Sequence, residues 1–197
     1  MTKPMSMIER NLRTRGIVRI AGVDEAGCGA LAGPVVAAAV ILPENHGLPV
    51  RDSKMLTPQA REKIYPMIIA KAISWGVGIV EVDEIDRIGI RPATLKAMRL
   101  AVSHIVLAEH ILVDARTIPG IAIPQTAIIR GDISEAQIAA ASIIAKVTRD
   151  RIMVEASAKF PKYLFDKHKG YGTLEHRLII TRLGSTSFHR ASFSFVV

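Results

Sequence analysis

The chain has 197 residues, of which 49% are hydrophobic and only 5% aromatic, so it can bury a single mainly aliphatic core. Its formal net charge of +8 favours an anionic partner, nucleic acid before membrane, although a basic surface also serves solubility alone. The only cysteine, Cys28, excludes an intrachain disulfide. Residues 1–15 do not resemble a secretory signal, and the apolar run 35–42 is too short to cross a bilayer, so we expect a cytoplasmic protein.

The first half of the chain alternates between strand and helix patterns. The β-branched run 17–23 predicts a buried strand, and the apolar run 35–42 predicts a second strand antiparallel to it, because few residues separate them. A polar loop is expected over 45–56. Thr57 and Pro58 suit an N-cap and a first helical position, which predicts a helix to about residue 72. Alternation over 74–81 predicts a third strand.

The second half predicts two more strands and three helices. Residues 82–89 predict a short polar connection with room for one helical turn, and a helix is expected from Pro92 to about 107. Short buried strands are expected at 111–114 and 127–129. Ser134 to Gln137 fits a capping box that opens a long helix to about 159. A basic loop, 162–173, then a helix, 174–183, and an irregular tail complete an α/β chain with a mixed sheet.

Carboxylates stand at or just beyond the ends of three predicted strands: Asp24 and Glu25, Asp114, and Asp132. Ligand sites of α/β sheets gather at strand ends, and a buried carboxylate is costly unless it is paired or binds a metal. An all-oxygen set favours Mg²⁺ or Mn²⁺ over zinc, and two such ions about 4 Å apart can hydrolyse a phosphodiester. Each acid alone could instead be a helix cap or an ordinary surface residue. Asp132, for example, could stabilise the positive N-terminal end of the following helix.

Seven blocks of sequence between residues 17 and 193 carry a specific resemblance. They are Gly22–Gly27, Leu31–Leu42, Asp52–Lys54, Gly131–Asp132, Ile138–Asp150, His168–Thr173 and His189–Phe193. In this order they resemble ribonuclease HII, the bacterial type 2 ribonuclease H. The resemblance implies a ribonuclease H-like fold: a central five-stranded mixed sheet flanked by helices, with a helical C-terminal part. We expect one domain, 1–197, with a core at about 17–160 and a C-terminal substrate-binding segment at about 161–197.

The resemblance also implies an activity. Members of this family hydrolyse the RNA strand of RNA/DNA hybrids and cut 5′ to single ribonucleotides in duplex DNA, leaving 3′-hydroxyl and 5′-phosphate ends. Carried over by motif, the catalytic metal ligands are Asp24, Glu25, Asp114 and Asp132. Asp24 would bridge two Mn²⁺ or Mg²⁺ ions, Glu25 and Asp114 would hold the ion on the leaving-group side, and Asp132 the ion on the nucleophile side. We expect a monomer that needs no obligate protein partner and removes misincorporated ribonucleotides.

Further residues are candidates for substrate binding. Gly27-Cys28-Gly29 aligns with the family's Gly-Arg-Gly, whose backbone contacts the 2′-hydroxyl that only RNA supplies. Tyr171 matches the tyrosine that stacks on the next sugar, although without the motif it would be an ordinary half-buried aromatic. The candidates for phosphate contacts are Lys54, Lys146, Arg149 and Lys169. Ser142 shares a helix face with two of them, but a core hydroxyl is an equally good explanation.

The chain departs from the family pattern at three positions near these motifs. Cys28 stands where the family has arginine, Ala30 replaces a proline, and Ala115 replaces a glycine after Asp114. An alternative hypothesis is therefore a duplex-binding protein whose site has decayed, against which the four retained acids argue. Another is a resolvase or integrase of the same fold, against which Tyr171 and the preceding His168-Lys169-Gly170 argue.

Overall fold

The sheet at the centre of the molecule has five strands in the order β3-β2-β1-β4-β5. The computed structural model describes residues 5–50 and 55–196. The strands are β1 (Ile20–Ala26), β2 (Val35–Ile41), β3 (Ser74–Val80), β4 (His110–Asp114) and β5 (Gln125–Ile128). β2 is antiparallel to both of its neighbours, β1 and β3, whereas β4 is parallel to β1 and β5 is parallel to β4. The predicted five-stranded mixed sheet is confirmed.

Eight helices lie among the described residues. They are α1 (Met7–Thr14), α2 (Pro58–Lys71), α3 (Val82–Ile88), α4 (Ile90–Ser103), α5 (Gly131–Ser134), α6 (Ala136–Lys159), α7 (Phe165–His168) and α8 (Leu174–Leu183). A single 3₁₀ turn, Pro161–Tyr163, precedes α7. None of these helices is long and apolar enough to cross a membrane. The helical C-terminal part expected from the resemblance is therefore present.

Several local predictions differ from the structure. α1 was not predicted, and the expected connection over 82–89 is the two-turn helix α3. The predicted capping box is wrong, because Ser134 ends α5 and Glu135 is the N-cap of α6 without a side-chain capping bond. The Glu135 carboxylate instead accepts a hydrogen bond from the Ser6 hydroxyl. β1 also extends through Asp24 and Glu25, which pair with Ala38 and Ala37 of β2 rather than following the strand.

Helices cover both faces of the sheet. α4 packs on one face, where Ala97 and Ala101 lie against the buried side chains of β1 and β2. α6, with α2 beside it, packs on the other face, and its first turns carry an alanine-rich run that allows close approach to β1 and β2. The amide of Gln137 on α6 completes the end of β2: it donates to the Leu42 carbonyl at 3.2 Å and accepts from the Leu42 N–H at 2.7 Å. The helix that follows Asp132 is thus tied directly to the central strands.

The C-terminal part contains a cluster of three buried histidines. The rings of His168 and His176 stack with centroids 4.0 Å apart, and the Nε2 atoms of His176 and His189 lie 3.1 Å apart. His189 Nδ1 accepts from the Thr186 N–H, so its Nε2 donates to His176, whose Nδ1 donates to the Tyr171 carbonyl. This network requires neutral rings. Burial lowers the pKa of all three, that of His176 to about 4.

We expect this cluster to make the fold less stable in acid. An unfolded histidine has a pKa of about 6.5, so between that value and about 4 the unfolded chain binds a proton that folded His176 does not. Stability should therefore fall as the pH drops from 7 to 5, by about 1 kcal/mol for His176 after allowing for screening, or about 2–4 °C in Tm. Thermal unfolding of the wild type and His176→Gln in EDTA, at several pH values between 7 and 5, measures this loss of stability.

The contribution of His176 is the difference between the two proteins, because other titrating groups are common to both. The Tm difference should narrow as the pH falls from 7 to 5. Replacement of exposed His104 by glutamine is the control for loss of a histidine ring. A difference that stays constant over this pH range would contradict the assignment of His176 as a buried neutral ring.

Candidate active site

Three of the four predicted catalytic acids meet at the carboxyl ends of the two central parallel strands. Val23 of β1 pairs with Val113 of β4, so Asp24 and Asp114 follow them as neighbours at the same edge of the sheet. Glu25 is the next residue of β1 and is only half-buried. These three side chains line one cavity of about 220 Å³. The sheet register therefore brings together acids that are separated by almost ninety residues in the chain.

Asp24 is the most enclosed of the three, with 5% of its surface exposed. Burial raises its pKa well above the ordinary value, and the neighbouring Glu25 and Asp114 raise it further, while a hydrogen bond from Ser142 lowers it. The backbone N–H of Glu25 also donates to Asp24 Oδ1 at 2.8 Å. Asp24 is thus oriented by two donors, while the charges of Glu25 and Asp114 disfavour its ionised form.

Asp132 is the fourth predicted acid and lies on the short helix α5. Its side chain is buried, but it is not among the residues that line the cavity. The preceding residue, Gly131, donates its backbone N–H to Asp114 Oδ1 at 2.8 Å. A Cβ at Gly131 would lie 2.4 Å from the Ile138 side chain, so glycine allows α5 to pack closely there. The backbone just before Asp132 is therefore bonded directly to the Asp114 carboxylate.

The donor chemistry of these residues fits a hard divalent cation, since all the candidate ligands are carboxylates. A cation among them would also offset the negative charge that Glu25 and Asp114 place beside buried Asp24. Within residues 5–50 and 55–196, however, no group of three or more histidine, cysteine, aspartate or glutamate side chains is drawn together as a ready metal-binding cluster. The site thus supplies carboxylate ligands of the type that Mg²⁺ and Mn²⁺ prefer, but their side chains in the described residues are not already arranged around one point.

The candidates for reading the substrate line the same cavity. Gly27, Cys28 and Tyr171 lie along one side of it, and Ser142 and Lys146 of α6 lie along another. An isolated β-bridge between Ala30 and Tyr171 keeps the tyrosine beside the glycine loop. Lys146 Nζ is 5.1 Å from the centre of the Tyr171 ring and also forms a salt bridge with Asp150 at 2.8 Å.

The remaining candidates lie at the margins. Gly29 is exposed and its Cβ position is open, whereas Lys169 lines a neighbouring groove between α2 and α6 instead of the cavity. Lys54, with the rest of its Asp-Ser-Lys motif, lies outside the described residues. Ser142 is buried and bonded to Asp24, so its placement agrees with the core-hydroxyl explanation as well as with a role at the site.

The structure corrects the prediction that Arg149 contacts phosphate. Its side chain is fully buried, and its guanidinium donates at 2.9 Å to three carbonyls: those of Ala32, Pro34 and Lys169. Arg149 and Lys146 are both on α6, as predicted, but the loop 27–34 packs over the Arg149 side chain. Arg149 therefore holds the glycine loop against α6, and a Cβ at Gly27 would lie 2.0 Å from its Nε atom.

Two residues that sequence reasoning missed also reach the site. Arg61 of α2 lines the cavity, and its Nη1 donates to the Leu56 carbonyl at 2.7 Å. Thr94 of α4 lies with its hydroxyl 3.1 Å from the Cys28 Sγ. No motif marks either residue, because each belongs to a helix whose approach to the cavity is decided by packing alone.

The departures from the family pattern have visible local consequences. Ala115, which replaces the family's glycine, has a φ of +60°, a left-handed conformation that costs an alanine about 1–2 kcal/mol. The Ala30 N–H donates to the Gly27 carbonyl at 3.3 Å, a bond that a proline could not make. The Cys28 thiol lies 3.5 Å from Glu25 Oε1, and burial followed by the Glu25 charge raises its pKa to about 12.

Comparison with known proteins agrees with this geometry. The family model described as ribonuclease HII matches residues 21–196. The chain belongs to the ribonuclease HII family. It is 55% identical to ribonuclease HII of Geobacillus thermodenitrificans over 94% of this chain and 72% of that protein. It is therefore a metal-dependent nuclease that hydrolyses the RNA strand of RNA/DNA hybrids.

Solved structures match the fold. The crystal structure of ribonuclease H2 from Pyrococcus horikoshii superimposes with a TM-score of 0.75 at 26% identity, covering 89% of this chain and 93% of that one. The Bst-RNase HIII structure in complex with Mn²⁺ has a TM-score of 0.68 at 20% identity over 90% of this chain and 68% of that chain, which supports the shared fold alone. The predicted ribonuclease H-like fold is thus confirmed.

Proposed function

We propose that this family member cuts 5′ to single ribonucleotides embedded in duplex DNA, in addition to hydrolysing hybrids, and leaves 3′-hydroxyl and 5′-phosphate ends. The observation that carries the proposal is that one cavity is lined by Asp24, Glu25 and Asp114 and also by Gly27, Cys28 and Tyr171. The acids that would direct hydrolysis and the elements that would read an RNA–DNA junction therefore face the same space.

Two divalent ions, Mg²⁺ or Mn²⁺, would be held by Asp24, Glu25, Asp114 and Asp132, with Asp24 shared between them. When bound, such ions lower the pKa of a water nucleophile and stabilise the departing oxygen. Glu25 and Asp114 would serve the leaving-group side and Asp132 the nucleophile side.

The chain's own residues would prepare this site. The Ser142 hydroxyl and the Glu25 N–H hold Asp24, and the Gly131 N–H holds Asp114, so two carboxylates have fixed orientations before substrate arrives. Lys146 and Arg61 place positive charge at the cavity, where a phosphodiester would lie. Tyr171, backed by Lys146 and by Arg149 at 5.2 Å from its ring, would stack on the deoxyribose that follows the ribonucleotide.

A cleavage assay tests this proposal. A labelled DNA duplex with one ribonucleotide and a uniform RNA/DNA hybrid would each be incubated with Mg²⁺, Mn²⁺ or EDTA. We expect metal-dependent cutting of both, with the single-ribonucleotide product ending one base 5′ of the ribonucleotide. Binding without turnover would favour the decayed-site alternative, and cutting of an all-DNA junction would favour the resolvase alternative; either result contradicts the proposal.

Cys28 offers a test of the substrate contact that the family arginine would make. The thiol packs against Thr94 and carries no charge to a phosphate, so Cys28→Arg should add one charge-assisted contact and lower KM for the single-ribonucleotide duplex by about tenfold. Cys28→Ser, which is similar in size and uncharged, should leave KM unchanged. Steady-state kinetics at several substrate concentrations would measure both, and an equal KM for Cys28→Arg and wild type would contradict the expectation.

The cellular setting follows from the same proposal. An enzyme that nicks DNA at isolated ribonucleotides would act in the cytoplasm on genomic DNA and begin ribonucleotide excision repair. We propose that it does so as a monomer without an obligate protein partner, and that about 161–197 forms the part that holds substrate.

A further inference from the structure

The C-terminal segment 188–190 packs against the loop that carries the glycine motif. The Gly33 N–H donates to the Phe188 carbonyl at 2.8 Å, and the Arg190 N–H donates to the Leu31 carbonyl at 2.9 Å. A β-bridge joins Ala32 to His189. This segment therefore supports the loop through backbone hydrogen bonds.

Arg190 is buried at this junction and uses its guanidinium on the loop backbone. Nε and Nη2 donate to the Gly33 carbonyl at 3.0 and 2.8 Å, and Nη1 donates to the Cys28 carbonyl at 3.1 Å. Arg149 takes the flanking Ala32 and Pro34 carbonyls. Two neighbouring guanidiniums thus bind four carbonyls of one short segment, so its backbone has little freedom.

The turn that presents Arg190 is itself fixed by a residue from another part of the fold. Asp86 of α3 accepts hydrogen bonds from the N–H groups of Ala191 and Ser192, both at 2.9 Å, and from the Ser192 hydroxyl at 2.6 Å. The Phe193 ring lies 5.0 Å from the Arg190 guanidinium carbon. Asp86 therefore fixes the turn that follows Arg190, and Phe193 packs beside the guanidinium, whose donors are directed at the loop.

We propose that Arg190 is a positioning residue for reading the RNA–DNA junction: it holds the Cys28 carbonyl so that the backbone of Gly27-Cys28-Gly29 faces the cavity, and Asp86 secures the turn that carries it. This inference rests on the proposed function, since the loop is where the ribonucleotide's 2′-hydroxyl would be recognised. Arg190 would not touch the substrate, because its donors are directed at the loop carbonyls.

The test compares Arg190→Lys and Asp86→Asn with wild type, with exposed Arg10→Lys as the matched control. Hydrogen exchange of the free protein in EDTA reports on the loop without any catalysis. Arg190→Lys should speed exchange of the amides of residues 28–33 about tenfold or more, while the central strands keep their protection. Asp86→Asn should speed this exchange to a smaller extent, and Arg10→Lys should leave the exchange of the loop and of the central strands unchanged.

Kinetics on the single-ribonucleotide duplex supply the second measurement. A positioning role predicts that Arg190→Lys lowers kcat about tenfold and leaves KM within about twofold, because loop geometry and not phosphate binding is disturbed. A raised KM with unchanged kcat, or unchanged loop exchange, would overturn the inference. If wild type cuts only the uniform hybrid, the junction proposal fails, and exchange together with kcat on that hybrid still decides whether Arg190 positions the loop.

Discussion

Asp24→Asn is expected to abolish most activity while raising the stability of the metal-free protein. With Mg²⁺ or Mn²⁺, turnover should fall by at least about 10²-fold, because the proposed shared ligand is lost. In EDTA, the same change removes a buried carboxylate whose pKa is raised by burial and by Glu25 and Asp114. Asparagine keeps its size and can accept the same hydrogen bonds, so we expect about 1 kcal/mol of stabilisation, or about 2–4 °C in Tm.

Lower turnover combined with higher stability distinguishes an acid kept for function from one that stabilises the fold. Because the folded pKa of Asp24 is raised, folded wild type takes up a proton at a higher pH than the unfolded chain does. The stability advantage of the variant should therefore shrink as the pH is lowered. Thermal unfolding with EDTA and cleavage with metal measure both effects, and exposed Asp83→Asn is the control. Unchanged turnover, or a lower Tm in EDTA, would contradict the interpretation.

Gly22→Ala is expected to lower the free energy of unfolding strongly. A Cβ at Gly22 would lie 2.0 Å from the carbonyl carbon of Gln137 and 2.3 Å from the Ile138 nitrogen. Both are backbone atoms of α6, so no rotamer change can make room. The strand and the helix would have to separate, which we expect to cost about 3 kcal/mol or more and to lower Tm by at least about 6 °C.

The chain supplies a matched control for this substitution. Gly29→Ala adds the same methyl group three residues beyond β1, where nothing lies within 4 Å of the new atom. Its Tm should stay close to that of wild type. Urea unfolding of the three proteins in EDTA would measure the difference, and equal midpoints for Gly22→Ala and wild type would show that α6 does not contact β1 as closely as described.

Much of the central architecture was predictable because it depends on local pattern. The apolar runs that became β1 and β2, the alternation of β3 and the proline-led start of α2 each follow from short-range preferences. Where prediction failed, a long-range contact decided the outcome. β1 continues through Asp24 and Glu25 because β2 supplies pairing partners there. The capping box predicted at Ser134 does not form, and the Gln137 amide that would complete it bonds instead to the Leu42 backbone, 95 residues away in sequence.

The candidate acids could be identified from sequence, since carboxylates at strand ends and an ordered set of motifs are visible without a structure. The roles of the arginines depend on tertiary packing. Arg149 was predicted to contact phosphate, yet it and Arg190 are buried and bind loop carbonyls, whereas Arg61 lines the cavity. The physical reason is that a guanidinium can donate hydrogen bonds to phosphate or to carbonyl oxygens, and the packing around it decides which of them it reaches.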